Sequence, residues 1–494
     1  MFTKLMANAG LPSQTLTQIW DVVDEKQGYL SRTGLYKALA LTALAQQGKS
    51  INDKILESYS DQELPRPSLG DMGDLKNLSV RLHRDRNPTV LGYTYEELSA
   101  LDTIKVELVP EKKGLILKHV EYEITSRRYH STVLRRYNDF LAYQETLLQR
   151  YPYRMIPDLP PKKLVGVADR KFIEQRRKSL RRFLNLIARH PIMSHDQIVR
   201  YFHTFTGSDM QYRIKEHFRG APDEFMTCEY ALKSKEFVPL DTQLQFSNSR
   251  VHIRLLTDAT LKMRNIAERI AERDTEYALD MLVLSKQLST IANDTSSVSS
   301  WACGNCETWS QFKRGFKGVS SDCALLGEKA SSLSIRIEDH VTEILSMFLD
   351  LLLAYKDLCD RHEKGVLRDH QRAIQKMGLY KKKKMSATVQ GPAEANAVEQ
   401  LEYRILKQEN EISNMENRNY FSLHCVQMET QLIHANLEGL YCALQNLATE
   451  ETQGYSQMAS LWHNIRPLID AILPERAVSS GATSPSTSPT NIKR

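Results

Sequence analysis

The chain has 494 residues, with 66 lysines and arginines against 60 aspartates and glutamates, a net charge of +6. This length allows two to four domains, and no apolar stretch reaches the eighteen residues of a membrane span, so no transmembrane helix is expected. The N-terminus lacks the apolar core of a signal peptide and the seven scattered cysteines suit a reducing compartment, so we expect a soluble cytosolic protein.

The first predicted element is a helical segment at residues 1–50. Its stretch GLP at residues 10–12, followed by IWDVVD at residues 19–24, resembles the second half of an EH domain, a helical module that binds Asn-Pro-Phe peptides. The resemblance implies that Trp20 lines a peptide pocket; the alternative is that Trp20 packs inside a small helical hairpin. The loop is one residue short of an EF-hand and Gly34 stands where glutamate is needed, so we predict no calcium site.

An α+β module is predicted at residues 99–208, after a flexible linker at residues 51–98. Alternating apolar and β-branched residues indicate three strands, and helical spacing follows them on both sides of a proline-containing loop. In chain order, the predicted strands are residues 104–109, 116–124 and 131–136, and the predicted helices begin at Tyr137 and at Asp169.

The most informative motif joins the last strand of this module to its first helix. Arg135 and Arg136 precede Tyr137, and Lys162 follows two prolines. Arginine matches phosphate oxygens with a planar fork of donors, and a tyrosine ring can lie against a sugar ring. The alternative is that both arginines are solvated and Tyr137 is core. Residues 101–207 carry 21 Lys+Arg against 11 Asp+Glu, a net charge of +10 that attracts either anionic lipid or nucleic acid.

The order of three motifs, RRYNDF, LPPK and FIEQRRKSLRRFL, resembles that of a PX domain, a fold that binds phosphatidylinositol 3-phosphate. The resemblance implies that Arg136 holds the 3-phosphate and that Tyr137 packs under the inositol ring. It also implies that Lys162 holds the 1-phosphate and that Arg176 hydrogen-bonds the 4- and 5-hydroxyls. Arg135 is expected to be structural.

Three apolar residues beyond the two prolines are candidates for a membrane contact. We predict that Leu164, Val165 and Val167 insert into the bilayer, where they would add apolar burial; the alternative is that they cap the domain core. Residues 209–244 are predicted to be a linker. At its start, the stretch at residues 208–219 is either an interfacial amphipathic helix or plain connecting chain.

The C-terminal half, residues 245–474, is almost free of glycine and proline and reads as three long helices. Val426, Thr430, Ile433 and later residues repeat in alternating steps of four and three, which is typical of a coiled-coil seam. Because such long helices must bury their apolar stripes, we expect an antiparallel three-helix bundle that dimerises. The predicted helices are residues 245–295, 307–380 and 395–470.

Two rows of cations lie on the polar faces of the first two long helices. The rows are either a membrane-binding face or ordinary solvated surface. A PX-like module followed by three long helices resembles the sorting nexins that carry a BAR domain, crescent-shaped dimers that sense or impose membrane curvature. That resemblance favours the membrane face and places Lys381 to Lys384 at a hairpin tip. The predicted face comprises Arg254, Lys262, Arg269, Arg273, Arg361, Lys364, Arg368 and Arg372.

Motifs of catalysis or metal binding are missing from the sequence. Cys303 and Cys306 form a lone C-x-x-C without a second ligand pair, and Gly48-Lys49-Ser50 lacks the preceding strand and first glycine of a phosphate loop. We therefore expect no enzyme, no cofactor and no metal. Residues 475–494, rich in Ser, Thr and Pro, are predicted to be a disordered tail.

The resemblances together imply a peripheral protein on the cytosolic face of early endosomes. It would bind phosphatidylinositol 3-phosphate, homodimerise through the BAR domain and act in endosome-to-Golgi retrieval of cargo. The alternatives are a tethering scaffold without remodelling activity, a lipid-modifying enzyme, or a nucleic-acid-binding protein. The last requires aromatic residues interleaved with the cations, and only Tyr137 is so placed.

Overall fold

A computed structural model describes residues 9–23, 30–52, 54–59, 64–69, 87, 89–109, 120–162, 170–295, 307–389 and 395–472. The chain divides into two compact units, Met1–Glu97 and Leu98–Arg494. Within the described ranges, no helix is both long and apolar enough to span a membrane.

The N-terminal unit contains a helical hairpin. Helix α1 covers Ser13–Val23 and α2 covers Arg32–Gln46, where the Ser31 hydroxyl accepts a hydrogen bond of 3.0 Å from the Gly34 amide and caps the second helix. The apolar faces of the two helices meet in a small core of Ile19, Val23, Ala38 and Leu41. The predicted helical segment is confirmed, and Trp20 is half-buried in it. The loop at residues 24–29, where no calcium site is predicted, lies outside the described residues.

Helix α3 precedes a three-stranded antiparallel sheet in the order β1-β2-β3. Val106, Ile124 and Val133 are paired across the three strands and are buried, because every second residue faces the core. The predicted three-stranded sheet is confirmed, although the second strand continues beyond its predicted end at Ile124. The bounds are Tyr95–Leu101 for α3, Ile104–Leu108 for β1, Glu121–Ser126 for β2 and Ser131–Arg136 for β3.

Four helices share one apolar core with the sheet. Aromatic rings fill the space between helices and sheet, and the rings of Tyr143 and Phe202 stack with their centroids 4.1 Å apart. Leu180, Phe183 and Ile187 form the buried face of the long helix α5. The helices are α4 (Tyr137–Arg150), α5 (Arg170–Ala188), α6 (Gln197–Thr204) and α7 (Met210–His217).

Helix α7 corrects the prediction for residues 208–219. This stretch is helical, but Met210 and Ile214 are buried in the same apolar core as the sheet and α4. These two side chains are therefore already in contact with protein and are not available to a bilayer. Helix α7 therefore packs on the α+β domain, next to its predicted end at residue 208.

Two short helices, α8 (Glu224–Thr227) and α9 (Ser234–Phe237), lead into three long helical segments. The second segment contains two π-helical turns, Glu338–Thr342 and His362–Leu367, and the third is interrupted at Leu437. The first segment is α10 (Thr242–Ala292), the second is α11 (Glu307–Ile337), α12 (Glu343–Arg361) and α13 (Arg368–Val389), and the third is α14 (Ala395–Asn436) and α15 (Glu438–Asp470).

The second segment ends at Val389, so the predicted end at residue 380 is wrong. Lys381 to Lys384 lie within the helix and not in the turn after it. Lysine is a good helix former, and two of the four lysines form ion pairs with α14, which offset their mutual repulsion. These pairs join Lys381 to Glu409 at 3.4 Å and Lys384 to Glu402 at 2.7 Å.

The long segments pack as an antiparallel bundle, with α10 along α11, α11 along α15, and α13 along α14. Small residues of α10, Ala267, Ala271 and Ala278, let it approach the second segment closely. At Gly327 a Cβ atom would stand 2.9 Å from the Ala278 carbonyl oxygen, so this crossing requires glycine. Of the predicted seam, Val426 and Ile433 are buried while Leu444 is exposed.

Candidate functional site

Arg136 stands at the junction of β3 and α4. Its amide donates to the Asp139 carboxylate at 2.7 Å, which caps the first turn of α4 and fixes the backbone of the arginine. The guanidinium pairs with Glu121 of β2 at 2.8 Å, and 58% of the Arg136 side chain is exposed. The side chain is therefore held at the surface by one carboxylate, with donors still facing solvent.

Tyr137 and Arg176 form the adjacent part of the site. The Arg176 guanidinium carbon lies 4.6 Å from the centroid of the Tyr137 ring and 4.5 Å from that of Phe172, so the cation lies against two aromatic rings. Burial raises the pKa of the Tyr137 hydroxyl, and the nearby Arg176 opposes that rise.

The proline loop is attached to these two side chains. The Tyr137 hydroxyl donates to the carbonyl oxygen of Pro160, and Arg176 Nη2 donates to that of Pro161 at 3.2 Å. Lys162 is the next residue and is exposed. The structure thus joins Tyr137 and Arg176 to the proline loop, and Arg136 and Lys162 are next to these anchored residues in the chain.

Arg135 has the opposite environment to its neighbour. Its guanidinium is buried, donating to the carbonyl oxygen of Phe202 at 2.6 Å and to that of Phe205 at 2.6 Å. Burial lowers the pKa of Arg135 to about 10. The side chain ties β3 to the end of α6, so the predicted structural role is confirmed.

The predicted insertion residues Leu164, Val165 and Val167 lie outside the described residues. They stay a prediction.

On the first long segment, the predicted face is exposed. Arg254, Lys262, Arg269 and Arg273 all lie on the outer surface of α10. Within the described ranges, none of the four forms an ion pair with a carboxylate, so their charge is available to an external anion.

Arg361 was predicted to belong to the membrane face, and that prediction is wrong. Its Nη2 donates to the Arg154 carbonyl oxygen at 2.6 Å and its Nε to that of Pro152 at 3.3 Å. Burial lowers the pKa of Arg361, against the opposing effect of Asp357. The guanidinium therefore fastens the second long segment to the α+β domain and does not face a bilayer.

The remaining cations of the second row are exposed. Lys364 pairs with Asp360 at 2.7 Å and Arg372 with Asp369 at 3.4 Å, both within one helical turn. Arg368 is exposed and has no ion pair inside the described ranges. Such surface pairs contribute little stability, so these side chains can exchange their partners for an external anion.

A buried ionic junction between the α+β domain and the third long segment was missed from the sequence. Arg154 pairs with Glu224 at 2.7 Å and with Glu429 at 3.1 Å, and His190 lies 3.0 Å from the same Glu429. Burial alone would raise the pKa of Glu429, but His190 and Arg154 outweigh it and hold that pKa below its usual value. Removing one partner of an ion pair this deep is strongly destabilising, so the junction contributes to holding the α+β domain on the third long segment.

A second row of ion pairs joins α5 to the second long segment. Lys178 contacts Glu338 at 3.0 Å, and Arg182 contacts Glu343 at 3.1 Å and Asp350 at 2.7 Å. Part of the positive charge predicted for a ligand is therefore matched by protein carboxylates. Neither this row nor the buried ionic junction could be predicted from a local sequence pattern, because the partners lie far apart in the chain.

Comparison with known proteins agrees with this two-part architecture. Residues 123–206 match the PX domain family, and residues 221–474 match the sorting nexin 8/Mvp1 BAR domain family. Human sorting nexin-8 is 50% identical over 386 residues, which cover 78% of this chain and 83% of the human protein. Sorting nexin mvp1 of Aspergillus fumigatus is 25% identical over 75% of this chain and 51% of its own length.

A solved structure shows the same fold. The cryo-EM structure of the SNX-BAR Mvp1 tetramer superposes with a TM-score of 0.58 at 22% identity, covering 73% of this chain and 99% of that one. The family matches, the identity to sorting nexin-8 and the shared fold lead to one conclusion. The chain belongs to the sorting nexins that combine a PX domain with a BAR domain, which are membrane-binding proteins of protein transport.

Proposed function

We propose that the PX domain binds phosphatidylinositol 3-phosphate through Arg136, Tyr137, Lys162 and Arg176. The observation that carries the proposal is the solvent-facing guanidinium of Arg136, which directly precedes Tyr137, whose ring contacts Arg176 and whose hydroxyl holds the proline loop. Arg136 would hold the 3-phosphate and Lys162 the 1-phosphate. The inositol ring would lie on Tyr137, with Arg176 donating to its hydroxyls.

The incoming phosphate would compete with Glu121 for Arg136. That pair is largely exposed, and exposed ion pairs contribute only about 0–1 kcal/mol, so the exchange has a small cost. A phosphate offers a bidentate acceptor with more charge than the carboxylate. Leu164, Val165 and Val167 would then enter the bilayer beside the headgroup and add apolar burial.

The BAR domain would supply the preference for curved membranes. We propose that Arg254, Lys262, Arg269 and Arg273, with Lys364, Arg368 and Arg372, contact anionic lipid, and that two chains pair through the BAR domain. A dimer presents two headgroup sites, and linked weak contacts raise avidity by roughly 10² to 10⁴ when both engage. The buried PX–BAR junction supports this proposal, because rigid attachment fixes the spacing of the two sites.

On this proposal, the protein is a non-enzymatic peripheral coat component on the cytosolic face of early endosomes. It would sort cargo into tubules for endosome-to-Golgi retrieval. The alternative is a phosphoinositide-anchored tethering scaffold, whose helices bind other proteins and do not remodel membranes. Tubulation of vesicles by the purified chain separates the two, because a scaffold would bind without deforming them.

The headgroup assignment is tested by vesicle flotation of Arg136→Gln. Phosphatidylcholine vesicles with and without phosphatidylinositol 3-phosphate should recover the native chain only when the phosphoinositide is present, and the variant in neither case. Arg200→Gln, an exposed arginine of the same domain, is the matched control and should float as the native chain does. Equal recovery of Arg136→Gln and the control would refute the site.

A further inference from the structure

The last two turns of α13 carry the lysine run, and its four members differ in their partners. Lys381 and Lys384 pair with carboxylates of α14. Lys382 and Lys383 are exposed, and no carboxylate within the described ranges pairs with either. Two positive charges are thus left unmatched at the end of the hairpin formed by α13 and α14.

Ser386 lies beside both unmatched lysines. It follows Lys382 by four residues and Lys383 by three, and these spacings make helix neighbours. Ser386 is exposed, and its hydroxyl has no hydrogen-bond partner in the described part of the chain. Thr388, by contrast, donates its hydroxyl to the Lys384 carbonyl oxygen at 2.8 Å.

The same surface is apolar as well as basic. Lys382, Met385, Ser386 and Val389 line one shallow depression. Met385 is 69% exposed and Val389 is 83% exposed. Apolar side chains flanked by lysines that can extend toward phosphates are typical of helices that lie in a lipid interface. An anionic bilayer surface therefore matches this face in both charge and polarity.

We propose that Ser386 is a phosphorylation site that controls the contact between the end of α13 and anionic lipid. A basophilic protein kinase would transfer the γ-phosphoryl group of ATP to the Ser386 Oγ, releasing ADP and the hydroxyl proton. Lysines at positions two, three and four before the serine fit the charge pattern that such kinases select. The inference rests on the proposed membrane-binding function and adds its regulation.

The position of Ser386 in helix α13 determines both its accessibility to a kinase and the effect of a phosphate there. Ser386 is in the last turn before Val389, and terminal turns open at little cost, so a kinase can take the segment in extended form. A phosphate there carries almost two negative charges next to Lys382 and Lys383, and it sits at the negative end of the helix dipole. The phosphate on Ser386 would neutralise the charges of Lys382 and Lys383, and the end of α13 would then be repelled by an anionic surface.

The size of the effect follows from the two lysines. Loss of their attraction to anionic lipid lowers affinity by about 30-fold, which corresponds to about 1 kcal/mol for each. Binding to neutral vesicles that contain phosphatidylinositol 3-phosphate depends on the PX site and should change little.

The test treats the full chain with ATP and a purified basophilic kinase, with native, Ser386→Ala and Thr388→Ala proteins in parallel. Mass spectrometry locates the phosphate, and sedimentation with phosphatidylcholine–phosphatidylserine vesicles measures affinity. Native and Thr388→Ala proteins should gain phosphate at Ser386 and lose affinity about 30-fold, while Ser386→Ala keeps its affinity. Unchanged incorporation in Ser386→Ala, or unchanged affinity after phosphorylation at Ser386, would overturn the proposal.

Two further variants separate this inference from the proposed function. Lys382→Gln/Lys383→Gln should weaken binding as phosphorylation does, and Ser386→Glu in that background should add little. If the native chain binds neither vesicle type, the membrane-binding function itself fails. If the native chain binds phosphatidylserine vesicles and Ser386→Glu binds them equally, only the regulatory inference is refuted.

Discussion

The substitution Glu429→Gln tests whether the buried junction holds the PX and BAR domains together. Only 2% of the Glu429 side chain is exposed, and it accepts from Arg154 at 3.1 Å, from the Met155 amide at 3.4 Å and from His190 at 3.0 Å. Removing one partner of a buried charge pair costs about 3–5 kcal/mol, because the remaining charge loses its compensation. Glu224 still pairs with Arg154 in this variant, so we expect the free energy of unfolding to fall by about 3 kcal/mol, the lower end of that range.

Glu416→Gln is a matched control on the same helix. Glu416 contacts Lys235 at 3.5 Å with both side chains largely exposed, so its loss should cost less than about 1 kcal/mol. Scanning calorimetry should show Glu429→Gln melting several degrees below the native chain and below the control. Limited proteolysis should release the PX domain faster from Glu429→Gln. Equal melting temperatures of the two variants would show that the junction does not hold the PX domain on the BAR domain.

Three other expectations follow from the described side chains. Arg135→Ala should lower the free energy of unfolding by about 2–3 kcal/mol, because buried carbonyl oxygens lose charged donors, whereas Arg136→Ala should lower it by less than about 1 kcal/mol. Similar urea midpoints for the two variants would contradict the burial of Arg135 and the exposure of Arg136. Burial lowers the pKa values of His203 and His362 to about 4, so these histidines bind protons at a higher pH in the unfolded chain than in the folded one. The free energy of unfolding should therefore fall as the pH drops from about 6.5 toward 4, by about 1 kcal/mol per histidine at pH 5.5. Urea midpoints that stay flat from pH 7.5 to 5.5 would disprove this. Arg361→Ala should lower thermal stability while leaving affinity for phosphatidylserine vesicles unchanged. Unchanged thermal stability with weaker vesicle binding would show that Arg361 belongs to the membrane face.

Local periodicity explains what could be predicted of the PX site. A strand alternates its side chains between two faces, so a neighbouring pair such as Arg135 and Arg136 must include one inward and one outward member. The motif order placed Tyr137, Lys162 and Arg176 in one site, and the structure brings them together through the proline loop. The ion pair of Arg136 with Glu121 was not predicted, because strand register cannot be read from composition.

The errors arose where distant segments meet. Arg361 lies in a row of cations at helical spacing, but its partners are carbonyls of the PX domain, 207 and 209 positions away in the chain. Glu429 likewise meets Arg154 across 275 positions. Helix α13 continues past residue 380 because α14 supplies carboxylates to its lysines. Each case depends on a tertiary partner that no local pattern contains.

The proposed function depends most directly on the contact between Arg136 and a phosphoinositide headgroup. Titration calorimetry with soluble short-chain phosphatidylinositol 3-phosphate measures that contact without the bilayer or the BAR surface. The native chain and Arg200→Gln should show saturable binding of one headgroup per chain, and Arg136→Gln should show none. Undiminished binding to Arg136→Gln, with its fold intact by calorimetry, would contradict the account.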